Sequence, residues 1–385
     1  MIAATITPLQ REDVPLEQAY GRFLAAPLQA GLNLPPFTNS AMDGYALRAG
    51  DTPGRLRVAG ESAAGVPFTG VLAPGEAVAI STGAALPAGG DAVAPIEHVL
   101  DRGIGEIEVP LAIEPDASVR HAGSDVERGA RVLEAGVRIG PAQIGAAAAI
   151  GLRELPCRAL PRVAILTTGS ELREPGQALA AGEIYDANGP MLRAALSTTG
   201  AVVEQIPAAS DTLEAHRSAL SQALEHDVVI SSGGVSVGAH DLVRTVAREL
   251  GVHEHFWRIA LRPGKPLSFG SRSSTLLFGL PGNPVSTLVC FELFVRPALD
   301  GMQGAREIRP AFDTGILAAV VQRNPERDEM VRVRRTPGAT LEALSGQQSH
   351  QITVMAQADG LARIPAGTGE LAAGSEVAYL PLHRF

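Results

Sequence analysis

The stretch VVISSGGVSVGAHD, residues 228–241, sets two serines and two glycines directly behind the β-favouring residues Val228, Val229 and Ile230. Glycines behind a strand let bare backbone N–H groups come close to an anion. The donors here would be Gly233 and Gly234, the hydroxyls of Ser232 and Ser236, and the start of a helix near Asp241. No lysine follows, as it would in a P-loop. The same residues also read as a tight strand-to-helix turn that binds nothing. A second segment of the same form is GLPGNPVS, 279–286, where a strand meets the turn at Pro281 and Gly282. Its helix would have Asn283 as N-cap and Pro284 in the first position. In WRIALRPGKPLSF, 257–269, Arg258, Arg262 and Lys265 surround a Pro-Gly turn. These cations can supply the charge of the missing lysine, or form a plain basic surface loop.

Acids fall at the same edge: Glu171 in TTGSEL, Asp211 and Asp241. Carboxylates beside an anion site suit Mg²⁺, which takes a few carboxylates together with substrate oxygens. Asp211 equally reads as a helix cap, spaced with Glu214 as a capping box. Asp241 equally reads as a first-turn acid opposing the helix dipole. His253 and His255 share one face at strand spacing, but without a third ligand nearby they read as exposed residues rather than a metal site. NSAMDGYALR, 39–48, taken alone is a hairpin or turn.

The elements that must position these residues alternate between about Pro161 and Gly304. RVAILTT, AVVEQIPA, DVVISS and STLLFGL read as strands. DANGPMLRAALSTTG, DTLEAHRSALSQALEH, HDLVRTVAREL and NPVSTLVCFELFVRPAL read as helices. Repeated strand–helix units imply a doubly wound, mostly parallel α/β sheet, whose ligands sit at the carboxyl ends of its strands. The glycine stretch and LPGNP both fall there. Residues 27–128 hold short runs such as RLRVAG, EAVAIS and DAVAPI between Gly and Pro, a β-rich pattern. Residues 129–160 read as a helical connector, packed with an N-terminal helix in PLEQAYGRFLAAPL. After Arg309 the runs FDTGILAAVV, EMVRVRR, TLEALS, ITVMA, GLARIP and EVAYLPL suggest a small β-barrel. The expected division is 1–26 plus 129–160, 27–128, 161–304 and 305–385.

Composition bounds the partners. Of the 385 residues 45% are hydrophobic and only 4% aromatic, so the cores are built from Ala, Val, Leu and Ile. The net charge of -9 argues against a general nucleic-acid binder, but leaves room for a local basic pocket. Cys157 and Cys290 lack metal or disulfide spacing, which points to a reducing compartment. The N-terminus lacks a signal-like charge and apolar run, and GPAQIGAAAAIGL is too short to span a bilayer. A cytoplasmic protein with no membrane partner is the expectation.

Together these segments resemble the molybdopterin molybdenumtransferase family, which includes the E domain of gephyrin. NSAMDGYA, TGAALPAGGDAV, VRHAGSDVERG, TTGSEL, IYDANGPML, SSGGVSVGAHD, RPGKP and LPGNPVS occur in the family's order over about residues 35–290. The resemblance implies insertion of molybdenum from molybdate into the dithiolene of adenylylated molybdopterin, with release of AMP and use of a divalent cation, Mg²⁺. It implies an elongated homodimer of four domains per chain, whose second domain faces the partner subunit's site. The pterin nucleotide would lie across Glu171, the 231–238 loop and LPGNP, with Asp241 near metal and pyrophosphate. Molybdate would be met by Lys265, Ser286, Arg332 and Ser349. Asp43, Thr82, Arg120 and Asp125 match family positions on the second domain. Arg258 and Arg262 stand where the family would have lysines. Two rivals are molybdopterin adenylyltransferase, which shares the α/β domain but carries a Thr-Gly-Gly-Thr-Gly-like loop, and a non-catalytic scaffold on the same fold.

Overall fold

Six strands between Arg162 and Leu280 form one sheet, with apolar runs in its three central parallel strands. In the computed structural model, residues 1–207, 212–233, 242–338 and 340–382 are described. The sheet's strands are β1 (Arg162–Thr167), β2 (Val202–Ile206), β3 (Val228–Ser232), β4 (His253–Trp257), β5 (Ser268–Arg272) and β6 (Thr275–Leu280). Their order is β2-β1-β3-β6-β5-β4. The first four are parallel, while β5 and β4 run antiparallel at one edge. The helices are α1 (Asn188–Ser197), α2 (Leu213–Ala223), α3 (Leu242–Glu249) and α4 (Pro284–Cys290).

Alternating residues of β1 serve opposite faces. Val163 and Ile165 join Leu192, Leu196, Phe291 and Val295 in one core. Ala164 and Leu166 join Ile206, Leu220, Leu224 and Val246 in another. Burial on both faces is why these strands are continuous apolar runs rather than alternating ones. Leu166 is fully buried, so Leu166→Ala would cost about 2–5 kcal/mol.

The expected C-terminal barrel is present. Asp313–Leu317, Asp328–Arg335, Thr340–Ala343, Gly360–Ile364 and Glu376–Pro381 close on themselves through the pairing of Asp328–Arg335 with Gly360–Ile364. Leu261–Arg262, from the cationic segment, adds in parallel to Asp328 and Glu329, tying the barrel to the central sheet. Toward the N-terminus, Ala92–Pro95, Gly44–Leu47, Glu76–Ile80, Gly54–Ser62, Glu106–Val109 and Leu100–Gly103 form a six-stranded sheet in that order. Among the described residues no helix is long and apolar enough to cross a membrane.

Three local expectations are corrected. PLEQAYGRFLAAPL holds only a 3-10 turn at Leu16–Gln18. Its backbone instead bonds outward, Leu24 N–H to Val137 and Ala25 N–H to Pro156, with Gly21 at φ 80° breaking the helical path. The neighbouring connector does contain a helix, Pro141–Ala149, but Glu154–Arg158 then pairs as a strand with Arg11–Pro15. ITVMA forms a helical turn, Ile352–Met355, rather than a strand. That turn sets Ile352 and buried Met355 on one side against Val285 and Leu288 of α4, and packing overrides β propensity. Finally, α2 is capped by Thr212, whose Oγ1 accepts the Ala215 N–H at 3.2 Å. Asp211, expected in that role, lies outside the described residues.

Candidate functional site

The register lines up one row across the carboxyl edge of the sheet. Leu166 faces Ser231, Ser231 faces Gly279, Gly279 faces Ser268, and Ser268 faces Trp257. Strands β1, β3, β6 and β4 therefore deliver their following segments to the same rim, and the antiparallel β5 brings the segment that precedes it. The glycine stretch, LPGNP and the cationic hairpin all emerge there, as do Thr168 to Glu171.

Hydrogen bonds then join these segments. Gly233 N–H donates to the Leu280 carbonyl at 3.2 Å, and Thr168 N–H to the Ser232 carbonyl at 3.2 Å. The Gly233 amide is thus engaged within the protein, which corrects its expected role as a free donor. Its contribution is shape: at φ 94° a Cβ would lie 2.9 Å from the Thr168 carbonyl oxygen. Gly169 is constrained by its backbone, at φ 143°, while the Glu171 carboxylate that a Cβ there would meet can swing aside. That carboxylate is exposed and has no cation partner among the described residues. Gly234, Ser236, Asp211 and Asp241 lie outside the described residues.

Asn188 is a candidate positioning residue that motif reading passed over. Its Nδ2 donates to Ser232 Oγ at 2.9 Å and to the Gly282 carbonyl at 2.7 Å. A carbonyl only accepts, so the amide nitrogen must face Gly282. The Asn188 Oδ1 is buried with no hydrogen-bond partner. One side chain in the first turn of α1 therefore clasps the two anion-loop candidates together. The signal that could have found it is an amide residue opening a helix at the carboxyl edge, within IYDANGPML.

Asn283 caps α4 in position but not by its side chain. Its Nδ2 instead donates to Ser349 Oγ at 2.8 Å, and Val285 N–H donates to the Ser349 carbonyl at 3.2 Å. Ser286, on the buried side of the same first turn, is 4% exposed. The Pro281 carbonyl accepts the Thr287 hydroxyl at 2.6 Å. The barrel's 347–351 loop thereby reaches the rim of the sheet, with Ser349 against the LPGNP turn.

Arg332 lies beneath that loop rather than at its surface. It is 1% exposed and donates from Nη1 to the carbonyls of Gln348 and Gln351 at 3.1 and 3.2 Å, and from Nε to Gln347 Oε1 at 3.2 Å. Burial pulls its pKa below the usual arginine value. A buried guanidinium answered by neutral oxygens fixes the loop that carries Ser349.

The three hairpin cations differ in surroundings. Lys265 is exposed, with no side-chain partner among the described residues. Arg262 is paired with Glu329 at 2.8 Å, so part of its charge is already answered by the barrel. Arg258 has φ 74° and its guanidinium stacks on Trp257, 3.9 Å from the ring centroid. A left-handed arginine costs about 1–2 kcal/mol, a strain the surrounding hairpin holds through Arg258 N–H to Leu267 and Ile259 N–H to Lys265, both at 2.9 Å. Nearby His255 stacks on Phe269 and bonds Ser271 at 2.8 Å.

The second-sheet candidates form a separate patch. Asp43 Oδ1 accepts the Thr82 N–H at 2.7 Å and its hydroxyl at 3.0 Å. The Thr82 amide, then its hydroxyl, hold the Asp43 carboxyl below its ordinary value. Arg120 pairs through its backbone with Asn39, and Asp125 N–H bonds the Leu34 carbonyl at 2.9 Å. All four are exposed. Among the described residues their side chains make no hydrogen bond to the central sheet's rim.

Comparison with known proteins matches three regions to family models. They are the MoeA N-terminal region (domain I and II) over 1–151, a probable molybdopterin binding domain over 164–301, and the MoeA C-terminal region (domain IV) over 314–382. The chain is similar to molybdopterin molybdenumtransferase 2 of Mycobacterium tuberculosis, 37% identical over 378 residues, covering 94% of this chain and 93% of the relative. It is 33% identical to the molybdopterin molybdenumtransferase of Haemophilus influenzae, covering 98% and 95%. A crystal structure of the molybdopterin biosynthesis MoeA protein from Pyrococcus horikosii superposes with a TM-score of 0.83 at 32% identity, covering 100% of this chain and 97% of that one.

Proposed function

The chain belongs to the molybdopterin molybdenumtransferase family, and from that premise we propose that it inserts molybdenum from molybdate into the dithiolene of adenylylated molybdopterin, releasing AMP. It is an enzyme of molybdenum cofactor biosynthesis. The observation that carries the reading is the joined rim. Ser232 and Gly282 are clasped by Asn188, Asn283 meets Ser349 of the barrel, and Lys265 and Arg258 stand exposed beside them.

That arrangement suits the difficulty of the reaction. Molybdate is a dianion approaching a phosphorylated dithiolate, so the reactants repel. Fixed cations and dipoles aimed at the place where negative charge gathers offset that repulsion without reorganising. The phosphate-bearing part of the pterin nucleotide would lie across Ser232, Gly282, Asn283 and Glu171, with Pro281 and Pro284 fixing the turn. Molybdate would lie between Lys265, Ser286 and Ser349, with Arg332 beneath the last. Gly234, Ser236, Asp211 and Asp241 are kept as proposed contacts from the sequence. Cleaving the phosphoanhydride puts the new P–O bond on an oxygen from water or molybdate and sends the anhydride's bridging electrons to the departing AMP.

Glu171 suits Mg²⁺, because its carboxylate is exposed, has no cation partner among the described residues and stands at the anion rim. Bound with Asp241 as second carboxylate, the ion would supply positive charge to the phosphoanhydride. We also take the protein to be a cytoplasmic homodimer of four domains, 1–26 plus 129–160, 27–128, 161–304 and 305–385. The patch of Asp43, Thr82, Arg120 and Asp125 would then face the partner subunit's site. Its exposure, and the lack of side-chain hydrogen bonds from it to the rim among the described residues, support that placement.

Incubation with adenylylated molybdopterin and molybdate tests the reading: AMP appears in a molybdate-dependent way. Adenylate formation from ATP and molybdopterin, without molybdate-dependent AMP release, would overturn it in favour of the adenylyltransferase.

A further inference from the structure

Trp257 is the chain's single tryptophan, and two arginines lie on it. The Arg244 guanidinium sits 4.1 Å from the ring centroid and that of Arg258 3.9 Å. Arg244 comes from α3, the helix that follows the glycine stretch. It is held from behind by Glu254, which accepts from its Nε at 2.7 Å and its Nη2 at 2.8 Å. Arg258 comes from the cationic hairpin, is exposed, and apart from the indole has no side-chain partner among the described residues. Trp257 itself ends β4 in register with Ser268 and, across it, Gly279, so the stack stands on the anion rim.

Stacking orients a guanidinium in a particular way. Its π face is spent on the ring, while all its N–H donors point outward in the plane, ready for two oxygens of a tetrahedral anion. An ammonium in the same place would offer neither the plane nor the fork. The strained backbone of Arg258 and the stack together fix both ends of its side chain.

We propose that Trp257 is a positioning residue for the transfer reaction: it holds Arg258 at the rim as a preformed two-pronged donor to a substrate oxyanion, and locks it to the helix behind the glycine stretch. This rests on the functional reading above. The shared chemistry is a tetrahedral oxyanion, and its source is either the phosphate of the pterin nucleotide or molybdate. Where the family would have a lysine, arginine at 258 adds the planar fork that an ammonium lacks.

The test uses the full-length protein and the variants Trp257→Phe, Trp257→Leu, Arg258→Lys and the double variant Trp257→Leu/Arg258→Lys. Trp257→Leu raises KM for one of the two substrates about 2–5-fold, the equivalent of an exposed cation–π contact, with kcat little changed. The substrate whose KM moves identifies the source of the oxyanion. Trp257→Phe restores most of the loss. In the Arg258→Lys background Trp257→Leu adds little further. Independently of activity, the emission of the lone tryptophan changes on titration with molybdate, AMP or inorganic pyrophosphate, and Arg258→Lys moves that change to higher concentration. Equal losses from Trp257→Leu in both backgrounds, or an emission unmoved by all three anions, would overturn the proposal. A wild-type protein that gives an emission change but no AMP would refute the assigned reaction and leave the oxyanion clamp standing.

Discussion

Asn188→Ala removes the one side chain that, among the described residues, bonds both candidate anion loops. The Ser232 acceptor is 2% exposed, so no water replaces the lost donor there, whereas Gly282 is exposed and can be rehydrated. With a net contribution of about 0.5–1.5 kcal/mol per hydrogen bond, the variant loses about 1–3 kcal/mol over the two bonds. Part of that appears as stability, a drop of a few degrees in melting temperature. The rest appears as loosened loops: KM for adenylylated molybdopterin rises several-fold, a tenfold rise corresponding to about 1.4 kcal/mol. Asn188→Asp is the sharper variant. It keeps the size but turns the donor into an acceptor facing the Gly282 carbonyl, and it brings negative charge to the rim proposed to hold anions. It should bind the pterin nucleotide more weakly than Asn188→Ala does. Initial rates of AMP release at saturating molybdate, with melting curves on the same samples, separate the two effects. An Asn188→Asp protein with wild-type KM would refute the idea that this amide sets the spacing of the loops.

Ser349→Ala removes the 2.8 Å contact from Asn283; KM for molybdate rises while KM for the pterin nucleotide is nearly unchanged, and equal rises in both would place Ser349 elsewhere. Asp43, held below its ordinary carboxyl value by Thr82, contributes stability that is present above the unfolded value near 3.9 and is lost as pH falls through the lower folded value. Thr82→Val moves the Asp43 titration upward toward the ordinary value, read by NMR, and an unmoved titration would contradict the assignment. Cys157 and Cys290 are both buried, and burial pushes both thiols up. Neither should react with a thiol reagent near neutral pH in the native protein, and both should react in denaturant; fast native labelling would contradict the packing.

What was legible in the sequence, and what was not, divides by distance along the chain. The inner parallel strands β1, β3 and β6 are legible because burial on both faces demands unbroken apolar runs, and Val228, Val229 and Ile230 supply one; the edge strand Val202–Ile206 is half-exposed and carries Glu204 and Gln205. Asn283 and Pro284 mark a helix start because capping is a local affair. The two loops proposed to hold anions are legible as loops for the same reason: glycine after a strand is a statement about neighbouring residues. The role of each glycine was not, since the Gly233 amide is claimed by Leu280, 47 positions further on. Arg332 and Arg262 looked alike as cations in the sequence. Tertiary contacts made one the buried support of a loop and the other a partner of Glu329. Asn188 escaped because its meaning lies in contacts 44 and 94 residues away. Net charge is equally uninformative here: a chain of -9 overall still gathers Arg244, Arg258, Arg262 and Lys265 about one sheet edge. Motifs therefore name the loops of such a site, while the side chains that hold the loops at working distance emerge only when the sheet has aligned its carboxyl ends. It follows that variants in the unremarkable linking residues, Asn188 and Trp257 before the glycines themselves, are the ones that separate positioning from folding.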